Sequence, residues 1–200
     1  MALPSRPRIP RPYHHGDLKA AAFSEARRRL ARDGFEAISL RAIAEKLGVA
    51  PNALYRHFRN KEALLALLAE EGFQEMGNRF RTIKANRALQ RFRRMATEYV
   101  RFGQEHPETL RLMFSRVMTR LPKAEGLGEK ATSTFTELLK SAAAVVGRSL
   151  ESRKSLEFAI AAWSLVHGYA TLAMDGVLDF IDDDRRPGID RIVQFVEFRN

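Results

Sequence analysis

Two short helical patterns, separated by a turn that contains one glycine, constrain the fold of this chain more than any other sequence feature. The first pattern ends at Gly48, and Pro51 begins the second. Proline suits the first turn of a helix because its φ is already fixed and its missing N–H would be unpaired there anyway. Glycine adopts the positive φ that so short a turn requires. The spacing therefore predicts two helices, over residues 41–47 and 51–58, joined by a three-residue turn.

Helical periodicity continues along nearly the whole chain, and no convincing alternating strand pattern interrupts it. The first long pattern runs from Asp17, a good N-cap, to Gly34, which breaks it. Ser39 and Asn60 are further candidate N-caps. We therefore expect an all-α fold. The last three predicted helices cover residues 130–147, 153–178 and 189–198.

Charge and composition divide the chain into three predicted parts. Residues 1–16 form a basic arm, residues 17–80 a small helical domain and residues 81–200 a larger helical domain. The arm is rich in proline and arginine and has little to bury, so we expect it to be disordered. Residues 1–60 hold 12 Lys and Arg against 5 Asp and Glu. This excess is typical of a nucleic-acid binder, and a basic surface kept for solubility is the alternative.

Composition and spacing exclude several classes of chemistry. Without cysteine the chain has no disulfide, thiolate zinc site or cysteine nucleophile. No apolar run approaches the ~18 residues of a membrane span, and the arm lacks the apolar core of a secretory signal, so we expect a cytoplasmic protein without a membrane partner. The chain shows no serine elbow, carboxylate pair or phosphate loop. We expect no enzyme, no cofactor and no metal site, since the adjacent histidines 14 and 15 lack partner ligands.

The second helix of the pair carries polar side chains where a core helix would carry leucines. Asn52 can pair bidentately with adenine, and Ala53 can meet a thymine methyl group. Tyr55, His57 and Lys61 are suited to phosphate. A short amphipathic helix in an all-α core is the alternative. The predicted DNA-binding residues are Ser39, Arg41, Pro51, Asn52, Ala53, Tyr55, Arg56, His57 and Lys61.

The run ISLRAIAEKLGVAPNALYRHFRNKEALL, residues 38–65, resembles the DNA-binding domain of the tetracycline-repressor (TetR) family. The resemblance extends over residues 17–73 and implies a three-helix head that contains a helix-turn-helix. Ala50 departs from the family, which more often has a capping serine or threonine there. The basic arm would reach the DNA backbone or minor groove. The matches to the family run (L/I)YxHFxxKxxLL are Leu54, Tyr55, His57, Phe58, Lys61, Leu64 and Leu65.

A second informative run, AAWSLVHGYATLAMDG, covers residues 161–176 and places Trp163, His167 and Ala170 on one helical face. It resembles the subgroup of TetR-family C-terminal domains named for its tryptophan, histidine and glycine (WHG). His167 is either a hydrogen-bonded core histidine or a ligand contact. Aromatic and methionine side chains on neighbouring helices could line an apolar cavity or form plain core. The predicted ligand-binding residues are Met95, Tyr99, Phe102, Met113, Phe114, Met118, Trp163 and His167.

The resemblance also implies how the chain acts. In the TetR family the last two helices pair with their copies in a homodimer, which sets two recognition helices about one DNA turn, ~34 Å, apart. We therefore expect a regulator of transcription, in this family a repressor, that binds a near-palindromic double-stranded DNA operator and is released by a small apolar or amphipathic effector. The alternative, a helical protein-interaction module without effector response, leaves the outward Asn52, Tyr55, His57 and Lys61 unexplained.

Overall fold

The computed structural model describes residues 15–119, 127–182 and 186–196, and these contain helices and turns but no β-strand. The predicted all-α fold is confirmed. Residues 1–14 of the predicted arm lie outside the described residues. The helices are α1 (His15–Asp33), α2 (Leu40–Lys46), α3 (Pro51–Tyr55), α4 (Lys61–Thr82), α5 (Ala88–Glu105), α6 (Pro107–Met113), α7 (Arg116–Thr119), α8 (Leu127–Val146), α9 (Arg153–Met174) and α10 (Ile189–Ile192), and a 3₁₀ helix over Val193–Val196 follows α10.

The chain forms two compact units, residues 1–65 and residues 66–200. The division falls inside α4, whereas the sequence places it near residue 80. The helical pattern after Asn60 continues without a break to Thr82, so periodicity alone gives no signal at residue 65.

The first unit packs α1, α2 and α3 around one apolar core. An arginine links two of these helices, because Arg29 Nη2 donates to the Ala42 carbonyl oxygen at 3.1 Å while Arg29 Nε donates to Glu25 Oε1 at 3.0 Å. Glu25 is buried, so this ion pair also satisfies its carboxylate. The buried apolar residues of this core include Leu18, Ala22, Ala26, Leu30, Ile38, Leu40, Ile43, Ala44, Leu54 and Phe58.

The turn between α2 and α3 is closed by the predicted glycine. Gly48 has φ of 69°, and its N–H donates to the Glu45 carbonyl at 3.1 Å. The Val49 N–H donates to the Ala44 carbonyl at 3.0 Å. These two bonds satisfy carbonyl groups that the end of α2 would otherwise leave open, in the arrangement known as a Schellman motif.

The second unit is built mainly from α5, α8 and α9 together with the later turns of α4. The rings of Phe92 on α5 and Phe158 on α9 pack at an interplanar angle of 50° with centroids 5.0 Å apart, and Phe102 is fully buried. Helix α9 ends at Met174 rather than near residue 178, because Gly176 has φ of 68° and terminates it. No helix among the described residues is long and apolar enough to cross a membrane.

Other helix ends differ from prediction by a few residues, as helix ends commonly do. Helix α1 begins at His15 rather than after Asp17, and α2 begins at Leu40. Helix α3 is α-helical only to Tyr55, after which a hydrogen-bonded turn continues, and α8 spans 127–146 instead of 130–147. The predicted helix 189–198 is α-helical for one turn and then 3₁₀, and residues 197–198 lie outside the described part.

Candidate functional site

Helix α3 is fixed to the first unit by two apolar side chains. Leu54 is fully buried and Phe58 is 2% exposed. Pro51 occupies the first turn, and the N-cap residue Ala50 makes no side-chain hydrogen bond. The first turn of α3 therefore depends on proline geometry and on the buried anchors, without help from a capping hydroxyl.

The polar side chains of α3 and its continuation lie at the surface, as the helix-turn-helix prediction requires. Tyr55 exposes 51% of its surface, and Asn52 and Arg56 are also exposed. Ala53 and His57 are half-buried. Because Leu54 and Phe58 point inward between them, this short segment presents its hydrogen-bonding groups on the opposite side, where a DNA groove could meet them.

Two predicted DNA-binding residues precede this segment. Arg41 is exposed on α2. The Ser39 hydroxyl accepts a hydrogen bond from the Ala42 N–H at 3.4 Å, so Ser39 is the predicted N-cap of α2. Its hydroxyl proton can still be donated to a phosphate oxygen, because a hydroxyl both accepts and donates.

Lys61 makes a contact that the sequence did not predict. Its Nζ donates to the Glu36 carbonyl oxygen at 2.6 Å, which ties the start of α4 to the loop after α1. An ammonium group has three protons, so two donors remain for phosphate. The neighbouring Asn60 is confirmed as the N-cap of α4, because its Oδ1 accepts from the Ala63 N–H at 2.8 Å.

Sequence reasoning did not identify the pair of Glu25 and Arg29, which positions α2. The available signal was a charged pair at i,i+4 on a helix whose other face is apolar. It also left out Arg59, an exposed cation that directly follows the buried Phe58. Arg59 adds positive charge to the same surface.

The second unit contains an apolar cavity of about 480 Å³. Four predicted ligand-binding residues line it, namely Met95, Tyr99, Phe114 and Trp163. All the lining side chains are uncharged at neutral pH, since none belongs to Asp, Glu, Lys, Arg or His. The complete lining is Phe73, Met76, Phe80, Phe92, Met95, Ala96, Tyr99, Phe114, Ala131, Thr132, Thr134, Phe135, Leu138, Leu156, Ile160, Ala162, Trp163 and Val166.

The other four predicted ligand-binding residues are not among those that line the cavity. Phe102, Met113 and Met118 are buried in the core of this unit. His167 is half-buried and lies behind the wall against the Phe114 ring, with centroids 4.8 Å apart. Burial and residue type alone do not separate a cavity wall from ordinary core, which explains why the sequence grouped all eight.

One hydrogen bond joins the cavity wall to His167. The Tyr99 hydroxyl oxygen lies 2.7 Å from His167 Nδ1, and the two rings meet edge to face. Burial raises the pKa of the Tyr99 hydroxyl and lowers the pKa of His167. Both groups are therefore neutral near pH 7, and their polar atoms satisfy each other in an apolar surrounding.

No group of three or more His, Asp or Glu side chains within residues 15–119, 127–182 and 186–196 is placed to hold a metal ion. The described residues thus form two candidate binding features. The first unit has a cationic surface with hydrogen-bonding side chains, and the second unit has an uncharged cavity.

Comparison with known sequences places both units in one family. The family described as bacterial regulatory proteins, tetR family, matches residues 23–68. The family described as tetracyclin repressor-like, C-terminal domain, matches residues 92–196, which is more than half of the chain. Neither description names the WHG subgroup, so that assignment stays a prediction.

Individual relatives agree with these matches. The chain is 26% identical over 156 residues to the uncharacterized HTH-type transcriptional regulator Rv0681 of Mycobacterium tuberculosis, covering 78% of this chain and 69% of that protein. A solved structure of a protein with unknown function from Rhodococcus sp. RHA1 is 31% identical with a TM-score of 0.72, covering 92% of this chain and 94% of that one. The structure of AibR in complex with isovaleryl coenzyme A and operator DNA shares the fold at 16% identity, with a TM-score of 0.58 over 90% of this chain and 96% of that one. With its helix-turn-helix and all-α architecture, the chain belongs to the TetR family of DNA-binding transcriptional regulators.

Proposed function

We propose that this protein is a repressor whose homodimer binds a near-palindromic operator and releases it when a small apolar or amphipathic molecule occupies the cavity. It would act in the cytoplasm of its cell, where the operator is. The observation that carries the DNA-binding part is the surface of α3, where Asn52, Tyr55 and Arg56 are exposed while Leu54 and Phe58 are buried.

Each predicted DNA-binding residue has a proposed role on this surface. Pro51, Asn52 and Ala53 would lie nearest the base edges, because the N-terminal part of a recognition helix enters the major groove. Tyr55, His57 and Lys61 would hold the phosphate backbone, and Ser39, Arg41 and Arg56 would add further backbone contacts. Lys61 would act with the two protons that its bond to Glu36 leaves free.

Exposed apolar side chains support the proposed dimer. Leu172 near the C-terminal end of α9, and Val177 and Phe180 directly after it, are exposed, and Phe180 exposes 81% of its surface. Large apolar groups clustered on one part of a monomer are typical of a protein–protein interface. A second copy covering them would give the two-fold symmetry that a palindromic operator requires.

The cavity supports the proposed effector response. A coupling free energy of about 1–3 kcal/mol between the ligand and DNA sites changes operator affinity by ~5–150-fold. AibR, which shares the fold, was solved with both isovaleryl coenzyme A and operator DNA. By this analogy the cavity of the second unit would hold the effector of the present chain.

The Asn52→Ala variant is expected to lose discrimination at one or two base pairs, by about 1–3 kcal/mol, because a bidentate contact to adenine is removed. The operator is first obtained by selecting bound fragments from the DNA of the source organism. Fluorescence anisotropy then compares the parent and the variant on operators with single base-pair changes. Lys61→Ala is the matched control, since it should weaken all operators alike. Equal base preferences in Asn52→Ala and the parent would show that α3 does not read the operator through Asn52.

The Leu172→Glu variant is expected to raise the dissociation constant of the dimer by about 10²-fold or more, since a charge buried at an apolar interface without a partner costs several kcal/mol. Sedimentation velocity over a range of protein concentrations measures this constant. Ala144→Glu, at an exposed position on α8, is the control and should dimerise like the parent. A dimer that tolerates Leu172→Glu would place the interface elsewhere.

A further inference from the structure

The wall of the cavity has few groups that can form a hydrogen bond with a ligand. Its hydroxyl groups belong to Tyr99, Thr132 and Thr134. The Thr134 hydroxyl already donates to the Phe73 carbonyl at 2.8 Å in a buried position. Thr132 is exposed, so it meets solvent as well as the cavity. Tyr99 is therefore the main polar group that the interior of the wall can offer.

Part of the hydrogen-bonding capacity of Tyr99 is already used. A phenolic hydroxyl donates one hydrogen bond and accepts up to two. One of these positions is used by His167 Nδ1 at 2.7 Å. At most two positions remain on this single hydroxyl, whichever ring nitrogen of His167 carries the proton.

Two charged side chains near the cavity, Arg91 and Glu137, are already paired. Arg91 lies behind the wall, where its guanidinium donates to the Phe80 carbonyl oxygen at 3.2 Å and contacts the Met95 sulfur at 3.2 Å. The same guanidinium is 3.6 Å from Glu137 Oε2, and Lys140 donates to the other oxygen of Glu137 at 3.0 Å. A charged ligand in the cavity would therefore not find Arg91 or Glu137 free as a counter-ion, and it would lose its hydration.

The volume of the cavity sets the size of what fits. An apolar cavity of about 150 Å³ is known to bind one benzene. At the same packing, a cavity of about 480 Å³ accommodates roughly 20 non-hydrogen atoms. This is the size of a molecule with two or three rings, or of a medium-length acyl chain.

We infer that the cavity selects uncharged, predominantly apolar molecules of roughly 20 non-hydrogen atoms with at most one hydrogen-bonding group, and that it rejects molecules that bring a charge inside. This inference rests on the proposed role of the cavity as the effector site. It narrows that role, because an amphipathic effector can then bind only with its charged end outside the wall.

A matched pair of fluorophores tests the inference on the whole 200-residue chain. N-phenyl-1-naphthylamine is uncharged and of suitable size, and 8-anilino-1-naphthalenesulfonate has the same rings with one negative charge. We expect the neutral compound to bind at one molecule per chain, with enhanced fluorescence. The sulfonate should bind the cavity at least ~100-fold more weakly. Equal affinity of the two compounds at the cavity, or no saturable binding of the neutral one, would overturn the inference.

Cavity-filling variants establish where the neutral fluorophore binds. Ala96→Phe places a ring into the cavity from α5 and should abolish binding. Ala131→Phe places a ring into the cavity from a half-buried position on α8 and should also abolish binding. It replaces Ala96→Phe in this test if that variant does not fold. The control is Ala144→Phe, which adds the same ring to an exposed position of α8 and should bind like the parent. Binding that survives both cavity variants would also overturn the inference, because the neutral compound would then be bound elsewhere.

A separate measurement distinguishes this inference from the proposed function. Operator affinity is measured by anisotropy with and without saturating N-phenyl-1-naphthylamine. If the fluorophore occupies the cavity and leaves operator affinity unchanged, the ligand class is supported while the effector response fails for this ligand. If the sulfonate binds in the cavity and releases the operator, the cavity is the effector site as proposed. The inference that the cavity excludes charged ligands is then wrong.

Discussion

Raising the salt concentration from about 50 to 200 mM is expected to weaken operator binding by about 10³-fold. Three cations of the proposed DNA surface are assigned phosphate contacts in each head, namely Arg41, Arg56 and Lys61. A dimer that sets both heads on DNA would therefore neutralise roughly six phosphates. Counterion release then gives a slope of about −5 in a plot of log affinity against log salt.

Anisotropy titrations of a labelled operator at several salt concentrations measure this slope. Arg56→Gln should reduce its magnitude by about two in the dimer, because one phosphate contact is lost from each head. Asn52→Ala should leave the slope unchanged, since a base contact releases no counterion. A salt response that is flat in the parent would contradict the proposed DNA surface as a whole.

Phe58→Ala is expected to lower the free energy of unfolding by about 3–5 kcal/mol, since it removes a ring that is 2% exposed and leaves a void in the first unit. Tyr55→Ala is the matched comparison three residues earlier, where the ring is 51% exposed. Its effect on stability should stay within about 0.5 kcal/mol, while operator binding weakens. The two variants would thus distinguish Phe58, which anchors α3 in the core of the first unit, from Tyr55, which contacts DNA.

Urea unfolding followed by circular dichroism measures the change in stability for both variants. Hydrogen exchange at the amide groups of α2 and α3 shows whether a loss is confined to the first unit. If Tyr55→Ala were the destabilised variant and Phe58→Ala unfolded like the parent, α3 would face the opposite way from the orientation given above.

The sequence predicted the helix-turn-helix well because its signals are local. The positive φ of Gly48, the N-caps Ser39 and Asn60, and the buried Leu54 are each determined by a few neighbouring residues. The predicted end of α9 was wrong because the apolar pattern continues past Gly176, although the glycine has already terminated the helix. The position of a helix end is determined by backbone geometry more than by hydrophobic periodicity.

The cavity could be predicted only in part. Met95, Tyr99, Phe114 and Trp163 were identified as a group of adaptable or aromatic side chains. The α4 residues that face them were missed, since sequence periodicity shows that a helix is amphipathic but does not show which helices oppose each other. The interaction of Tyr99 with His167 spans 68 positions of sequence and has no local signature.

The location of Trp163 has a practical consequence. It is the single tryptophan of the 200 residues, and its indole forms part of the cavity wall. Excitation at the red edge of protein absorbance therefore excites the Trp163 indole alone. This indole is in contact with any ligand that occupies the cavity, so its fluorescence reports ligand binding. The unlabelled protein thus contains its own optical reporter, with which extracts and compound collections can be searched for the natural ligand before any operator is known.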